Sequence, residues 1–163
     1  MKARHLLDKG KPFISLNVDI LTDLDLNKLM AFHQQHKPLI TFGVTDRKSS
    51  RVLLFDEDNR FCGWKNLQTG EEKGPHLNYV RSFARTPNGG GTQPNLVQKA
   101  YSCVVIFQPE IFSLIKQKGK FSIMDTYLDL AAEHLILGYD HSGDKLVDAG
   151  KPESIAIAEK LFS

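Results

Sequence analysis

The chain has 163 residues, a formal net charge of +2 and 41% hydrophobic residues. These values suit one globular domain that builds its own core, so folding needs neither disulfides nor a structural metal. The near-neutral charge excludes a polybasic surface for nucleic acid or membrane, and no segment approaches the ~20 apolar residues of a membrane span. Because Cys62 and Cys103 lie in apolar surroundings and the N-terminus has no signal-like apolar stretch, we predict a cytoplasmic protein.

The first half of the chain predicts short strands around one helix. An apolar strand is predicted at Phe13–Leu16. A helix is predicted to follow, with Thr22 or Asp23 capping its start and Pro38 ending it. The next apolar run, LITFGV, predicts a second buried strand. Two further strands beside the turn-forming DEDN are predicted at 51–55 and 60–65, and NLQTGEEKG predicts another hairpin.

The second half begins with a segment rich in Gly, Pro and Asn, Arg85–Gln98, which predicts a flexible loop. A β-branched run at Tyr101–Phe107 predicts a strand. Ser122 and Asp125 have the spacing of a capping box and predict the start of a helix. The strand pattern LILGYD, a turn, a strand ending at Asp148 and a final helix complete the chain.

Strands therefore alternate with helices over most of the length. This pattern predicts a single α/β domain over residues 1–163, a Rossmann-like three-layer sandwich around a mixed, mainly parallel sheet.

Two aspartates stand where ligands bind in such folds, beyond the carboxyl ends of strands. Asp19 and Asp148 each follow an apolar strand and precede a helix. If folding brings them together, Mg²⁺ would relieve their repulsion, because it prefers one or two carboxylates with phosphate and water. The alternative that the residues leave open is that each aspartate caps the next helix. We expect the neighbouring Asp23 and Asp25 to act in helix capping.

Several segments, in order along the chain, resemble the sugar-phosphate nucleotidyltransferases. The N-terminal segment ISLNVDILT is similar to the pattern N-[GV]-D-x-L-[ST] of that family. Further similar segments are FCGWKN, YSCVVIFQPEIF, KFSIMDTYLDLA and LVDAGKPE. The resemblance implies a GT-A-like domain and a Mg²⁺-dependent enzyme that transfers a nucleotidyl group from a nucleoside triphosphate to a sugar 1-phosphate, releasing pyrophosphate.

Carried over by position, the resemblance also implies roles for single residues. Asp19 and Asp148 would be the catalytic metal ligands. The implied substrate-binding residues are Asn17, Lys65, Ser102 and Cys103. Of these, Lys65 would bind the sugar phosphate, while Cys103 occupies a position where the family pattern has glycine. Trp64 stands where a glutamate is commoner, which removes a carboxylate for sugar hydroxyls.

The sequence departs from the family in its first part. No glycine-rich loop follows a strand and opens a helix, so the usual backbone cradle for a triphosphate is not found. We therefore expect an N-terminally truncated nucleotidyltransferase domain with sugar 1-phosphate and nucleotide as partners and with weak or no turnover alone. The alternative is a non-catalytic module that binds sugar phosphates or self-assembles, for example as a homodimer.

Overall fold

The computed structural model describes residues 4–77 and 96–163 of the chain. The helices in these ranges are α1 (Arg4–Leu7), α2 (Leu26–His36), α3 (Ile111–Leu114), α4 (Ile123–Ala131) and α5 (Pro152–Phe162). The strands are β1 (Phe13–Leu16), β2 (Ile20–Thr22), β3 (Ile40–Thr45), β4 (Arg51–Phe55), β5 (Phe61–Asn66), β6 (Glu72–Lys73), β7 (Val97–Phe107), β8 (Ile136–Asp140) and β9 (Leu146–Asp148).

The described strands form a seven-stranded sheet and a separate two-stranded ribbon. The sheet has the order β6-β5-β4-β7-β3-β8, and the ribbon consists of β2 and β9. Strand β7 organises the sheet, because β3 pairs along one of its edges while β4 and β1 share the other. This long strand thus connects the outer hairpin of β4 and β5 to the N-terminal segment that leads into the ribbon.

The α/β class and the mixed sheet are confirmed, but the prediction of a mainly parallel sheet is wrong for the described strands. Only β3 and β8 pair in parallel among them. The other pairs are antiparallel. For β4, β5 and β6 the physical reason is the length of the connections, since these strands follow one another through short turns, which can join only antiparallel neighbours. Strand β8 is reached through α3 and α4.

Helices cover both faces of the sheet, as a three-layer sandwich requires. On one face Val104 and Ile106 of β7 pack with Leu29 of α2. On the other face Val105, which lies between them in sequence, packs with Tyr127 of α4. Alternate residues of one strand therefore enter opposite cores, as the two-residue period of a strand demands. The sheet is therefore packed on both faces.

At the start of α2, the prediction that Asp25 acts in capping is confirmed, while the prediction that Thr22 or Asp23 caps the helix is wrong. Asp25 is the N-cap, because its Oδ1 accepts the backbone N–H groups of Asn27 at 2.9 Å and Lys28 at 3.2 Å. Thr22 and Asp23, the predicted caps, make other bonds: Thr22 Oγ1 accepts the N–H of Leu24, and Asp23 bonds to the ribbon.

Two further predictions need correction. Ser122 stands at the N-cap of α4 but makes no side-chain capping bond, so the predicted capping box is not formed. Of the loop predicted at Arg85–Gln98, residues 85–95 lie outside the described residues, while Val97 and Gln98 belong to β7. They pair with Phe55 and Leu54 of β4, and this ladder outweighs the local preference of the sequence for a loop. Within the described ranges, no helix is both long and apolar enough to cross a bilayer.

Candidate functional site

The ribbon brings together two aspartates that are far apart in sequence. Strands β2 and β9 run antiparallel, with Ile20 opposite Asp148. Asp19 directly precedes β2, and its carbonyl oxygen accepts the N–H of Ala149 at 2.7 Å. The other end of the ribbon is fixed by Asp23, whose Oδ1 accepts the N–H of Lys145 at 2.7 Å. Both strand ends that carry the candidate metal ligands are therefore held by backbone hydrogen bonds.

The carboxylates of Asp19 and Asp148 face the same point in space, at Gly150. A Cβ placed on Gly150 would lie 2.8 Å from Asp19 Oδ2 and 3.1 Å from Asp148 Oδ1. The N–H of Gly150 also donates to Asp148 Oδ1 at 3.1 Å. Both aspartates are exposed, and neither has an ion-pair partner among the described residues. We call these two residues the aspartate pair.

The aspartate pair could hold a divalent cation. Two carboxylates that converge without a cation repel each other, and a hard divalent cation removes this repulsion. In residues 4–77 and 96–163, no group of three or more His, Cys, Asp or Glu side chains could hold a metal ion. Mg²⁺ usually binds one or two carboxylates together with phosphate and water, rather than a full set of protein ligands. Asp19 and Asp148 could therefore be ligands of this ion.

The way in which these residues meet was not foreseen. The sequence pattern predicts that both aspartates lie beyond the carboxyl ends of strands in a parallel sheet. Instead, Asp19 lies in a turn after β1, and the antiparallel ribbon beside the main sheet joins it to Asp148.

A bulge in β7 places Cys103 next to the aspartate pair. Val105 is opposite Phe42 and Tyr101 is opposite Val44, so three residues of β7 face Gly43 of β3. Cys103 has a φ of 62°, in the left-handed region that favours glycine. Burial raises the pKa of its thiol, the charges of Asp148 and Asp19 raise it further, and Arg47 opposes them. The thiol therefore lies within the electrostatic reach of both the aspartate pair and Arg47.

Cys103 lines a cleft of about 650 Å³ on the α4 face of the sheet, which we call the Cys103 cleft. Its walls combine apolar and aromatic side chains with three basic residues and one carboxylate. The lining consists of Arg47, Ser49, Arg51, Leu53, Trp64, Lys73, Tyr101, Cys103, Ser122, Met124, Asp125 and Leu128. A second cavity of about 700 Å³ lies behind α3 and α4 and includes neither the aspartate pair nor Cys103. The Cys103 cleft is thus the candidate substrate site.

The other predicted substrate residues are placed differently. The N–H of Asn17 donates to the carbonyl oxygen of Cys103 at 3.3 Å, so Asn17 is close to the cleft and to Asp19. Ser102 is 0% exposed and does not line the cleft. Lys65 is also absent from its lining and forms an ion pair with Glu72 at 2.9 Å. The structure therefore groups Asn17 and Cys103 with the aspartate pair but not Ser102 or Lys65, whose roles stay predictions without geometric support.

Sequence reasoning overlooked the basic residues of the cleft. Arg47 and Arg51 flank the short turn between β3 and β4, and both reach the lining. The available signal was the spacing of two arginines around a Ser-Ser turn in RKSSR. Such a pattern alone is common in solvated loops, and only the bulge of β7 makes it part of a cleft.

No protein-family model matches the sequence. The chain is 25% identical over 163 residues to the mannose-1-phosphate guanylyltransferase catalytic subunit beta of Dictyostelium discoideum. Its fold is similar to that of UTP-bound UGPase from Acinetobacter baumannii, with a TM-score of 0.65 and 12% identity. It is also similar to a Bacillus anthracis protein assigned as a glucose-1-phosphate thymidylyltransferase and solved with sucrose, with a TM-score of 0.68 and 10% identity.

The predicted resemblance to the sugar-phosphate nucleotidyltransferases is confirmed. The likeness extends over 98% of this chain for the Dictyostelium protein and 96% and 98% for the two structures. The chain spans only 39% of the length of the curated relative and 52% and 57% of the two solved nucleotidyltransferase-fold chains. These matches therefore give the fold and the family likeness, while the reaction of this chain is a matter for proposal.

Proposed function

We propose that this chain provides the metal and sugar-phosphate part of a Mg²⁺-dependent sugar-1-phosphate nucleotidyltransferase. In the proposed reaction an oxygen of the sugar 1-phosphate forms a bond to the α-phosphorus of a nucleoside triphosphate. The bond from that phosphorus to the oxygen bridging to the β-phosphate breaks, and pyrophosphate leaves with the electron pair. The observation that carries the proposal is the convergence of Asp19 and Asp148 on Gly150, beside a cleft of suitable size.

The aspartate pair and the Cys103 cleft have different roles in this proposal. Asp19 and Asp148 would hold Mg²⁺, which when bound neutralises phosphate charge and orients the reacting oxygens. The absence of a side chain at Gly150 keeps the space between the carboxylates open. The Cys103 cleft would hold the sugar, with Trp64 and Leu53 as apolar walls. Binding and alignment supply most of the rate in such a reaction, because the protein has little covalent work to do.

None of the residues named in this proposal is assigned to bind the nucleotide. Within residues 4–77 and 96–163, no glycine-rich segment lies between a strand and a helix where it could cradle a triphosphate. The chain is therefore proposed to bind sugar 1-phosphate with Mg²⁺ and to turn over slowly by itself. A cytoplasmic location is part of the same proposal, whereas a homodimer belongs to the alternative of a non-catalytic module.

The test is calorimetric binding of a panel of sugar 1-phosphates to the purified chain, with and without Mg²⁺. We expect binding that requires Mg²⁺ and that Asp19→Asn weakens at least about tenfold, as loss of a charged ligand predicts. Asp25→Asn is the matched control, since asparagine is as good an N-cap as aspartate and Asp25 caps α2 outside the site.

Binding that is indifferent to Mg²⁺, or that survives Asp19→Asn unchanged, would contradict the proposed metal site. A pyrophosphate-release assay on the same samples, across several triphosphates, then separates enzyme from binding module. Turnover supports the nucleotidyltransferase, whereas tight Mg²⁺-dependent binding without pyrophosphate release supports the non-catalytic alternative.

A further inference from the structure

We propose that Arg47 and Arg51 form an anion subsite in the Cys103 cleft, so that the sugar 1-phosphate bound there carries a second anionic group, a carboxylate on its sugar. This inference rests on the proposed function and adds a substrate class to it. It follows from how the two arginines are held, from the charge balance of the cleft, and from their position relative to the aspartate pair.

Arg47 is held across the bulge of β7. Its Nη2 donates to the carbonyl oxygen of Tyr101 at 2.9 Å, which fixes the guanidinium over the cleft floor. Its charge opposes the rise in the pKa of the Cys103 thiol, so the guanidinium lies near that residue. A guanidinium has five N–H donors, and one hydrogen bond to a carbonyl leaves the others available for a ligand.

Arg51 is the first residue of β4. Its backbone is fixed by Ser49, whose Oγ accepts the N–H of Arg51 at 3.2 Å and donates to its carbonyl oxygen at 2.7 Å. Arg51 and Leu53 share a face of the strand, and Leu53 is opposite Trp64. Arg51 is thus on the face of β4 that carries Leu53 and lines the cleft together with Trp64.

The charge balance of the cleft leaves both arginines without a carboxylate. Neither forms an ion pair in the described part of the chain. Lys73, the third basic residue of the lining, is already paired with Glu71 at 3.0 Å. Asp125 is the one acidic residue on the lining. The cleft therefore has an excess of positive charge that a neutral sugar would not use.

The apolar walls of the cleft strengthen its preference for an anionic sugar over a neutral one. Leu53, Trp64, Met124 and Leu128 give the cleft an apolar surface, beside which a charge on the ligand interacts more strongly than it does in bulk water. The planar guanidinium fork also matches the two oxygens of a carboxylate.

The second anion is distinct from the reacting phosphate. The aspartate pair lies outside the lining of the cleft and is connected to it through Cys103. With its 1-phosphate at the pair, the sugar would extend from Cys103 along the cleft and present a carboxylate to Arg47 and Arg51.

The experiment compares calorimetric binding of glucose 1-phosphate and glucuronic acid 1-phosphate, with Mg²⁺ present, to the intact chain and to Arg51→Gln. We expect the unmodified chain to bind the uronic acid phosphate at least about tenfold more tightly, as one charge-assisted hydrogen bond predicts. Arg51→Gln should abolish this preference, because it should weaken binding of the uronic acid phosphate far more than binding of glucose 1-phosphate. Arg47→Gln should reduce the preference in the same way. Arg4→Gln is the matched control, since Arg4 pairs with Asp8 on α1, and should leave both affinities unchanged.

Equal affinity for the two sugar phosphates, or an equal loss of both in Arg51→Gln, would overturn the subsite. Equal loss would mean that the arginine binds the 1-phosphate that both ligands share. Failure of the proposed function looks different: neither phosphate would respond to Mg²⁺, yet free glucuronate would still bind in an Arg51-dependent way if the subsite exists. No binding of any of the three ligands would contradict both proposals.

Discussion

Cys103 is a residue with a side chain in a backbone conformation suited to glycine. Its φ of 62° brings Cβ close to the following carbonyl group and costs about 1–2 kcal/mol in an L-residue. The resemblance places glycine at this position, and the chain retains the glycine-like backbone although the residue has changed. The strain is tolerated because β3 and the N–H of Asn17 fix the bulge from both sides.

We therefore expect Cys103→Gly to be more stable than Cys103→Ala. Both variants lose the thiol, so their difference isolates the backbone, and it should be about 0.5–1 kcal/mol in favour of glycine. Urea unfolding monitored by circular dichroism measures this difference. If the alanine variant is as stable as the glycine variant, the left-handed conformation at this position is wrong.

Among the elements, the bulge in β7 depends on Gly43 in β3. A Cβ on Gly43 would lie 2.5 Å from Ser102 Oγ and 3.3 Å from the carbonyl oxygen of Val104. Ser102 Oγ has no hydrogen-bond partner among the described residues, although it is fully buried. The two strands can therefore approach at the bulge only because one residue has no side chain and the other has a small one.

Gly43→Ala should destabilise the protein by about 1–3 kcal/mol, as overpacking does. In a Ser102→Ala background, where the clashing oxygen is gone, the same change should cost about 1 kcal/mol less. A double-mutant cycle of unfolding free energies measures this coupling. Additive effects of the two substitutions would show that Gly43 is not packed against Ser102.

The elements themselves were largely predictable, because hydrophobic periodicity and local breakers act within a few residues. Phe13–Leu16 is a strand at the predicted bounds, and Pro152 begins the last helix. Pairing was not predictable in the same way. The N-terminal extension of β7 to Val97 depends on its partner β4, and the ribbon of β2 and β9 joins segments from opposite ends of the chain.

The candidate site was likewise predictable only in part. The motifs single out Asp19 and Asp148, whose metal-binding role stays a prediction, and the ribbon brings the two residues together at Gly150. Arg47 and Arg51 were missed because their significance arises only from the cleft that the fold builds around them. Lys65 is the opposite case. The motif match predicted that it binds the sugar phosphate, but a motif cannot reveal the ion pair that its side chain makes with Glu72.

For the whole molecule, a buried histidine couples stability to pH. His33 of α2 is 0% exposed, and its Nδ1 lies 2.8 Å from Thr41 Oγ1 of β3. Burial lowers the pKa of His33 to about 4. Because this pKa is below that of the unfolded chain, near 6.5, the unfolded state binds the proton first. The stability that the neutral, buried His33 contributes is fully present above pH 6.5 and is lost as the pH falls towards 4.

We expect the free energy of unfolding to fall by about 2 kcal/mol between pH 7 and pH 5 on account of His33. His33→Gln keeps a polar group beside Thr41 without the titration, so its stability should depend less on pH by about this amount. His36→Gln, on the exposed side of the same helix, should retain the full dependence. Urea titrations at both pH values test this, and an equally steep loss in His33→Gln would rule out His33 as its source.

For the whole molecule, the central claim is that Asp19 and Asp148, which come from opposite ends of the chain, share one Mg²⁺. Its most direct test is a calorimetric Mg²⁺ titration of the unmodified chain, Asp19→Asn, Asp148→Asn and the double variant, with Asp25→Asn as control. If the carboxylates share one ion, each single substitution should remove most of the affinity and the double variant should lose little more. Independent, additive losses, or a loss confined to one aspartate, would contradict the shared site.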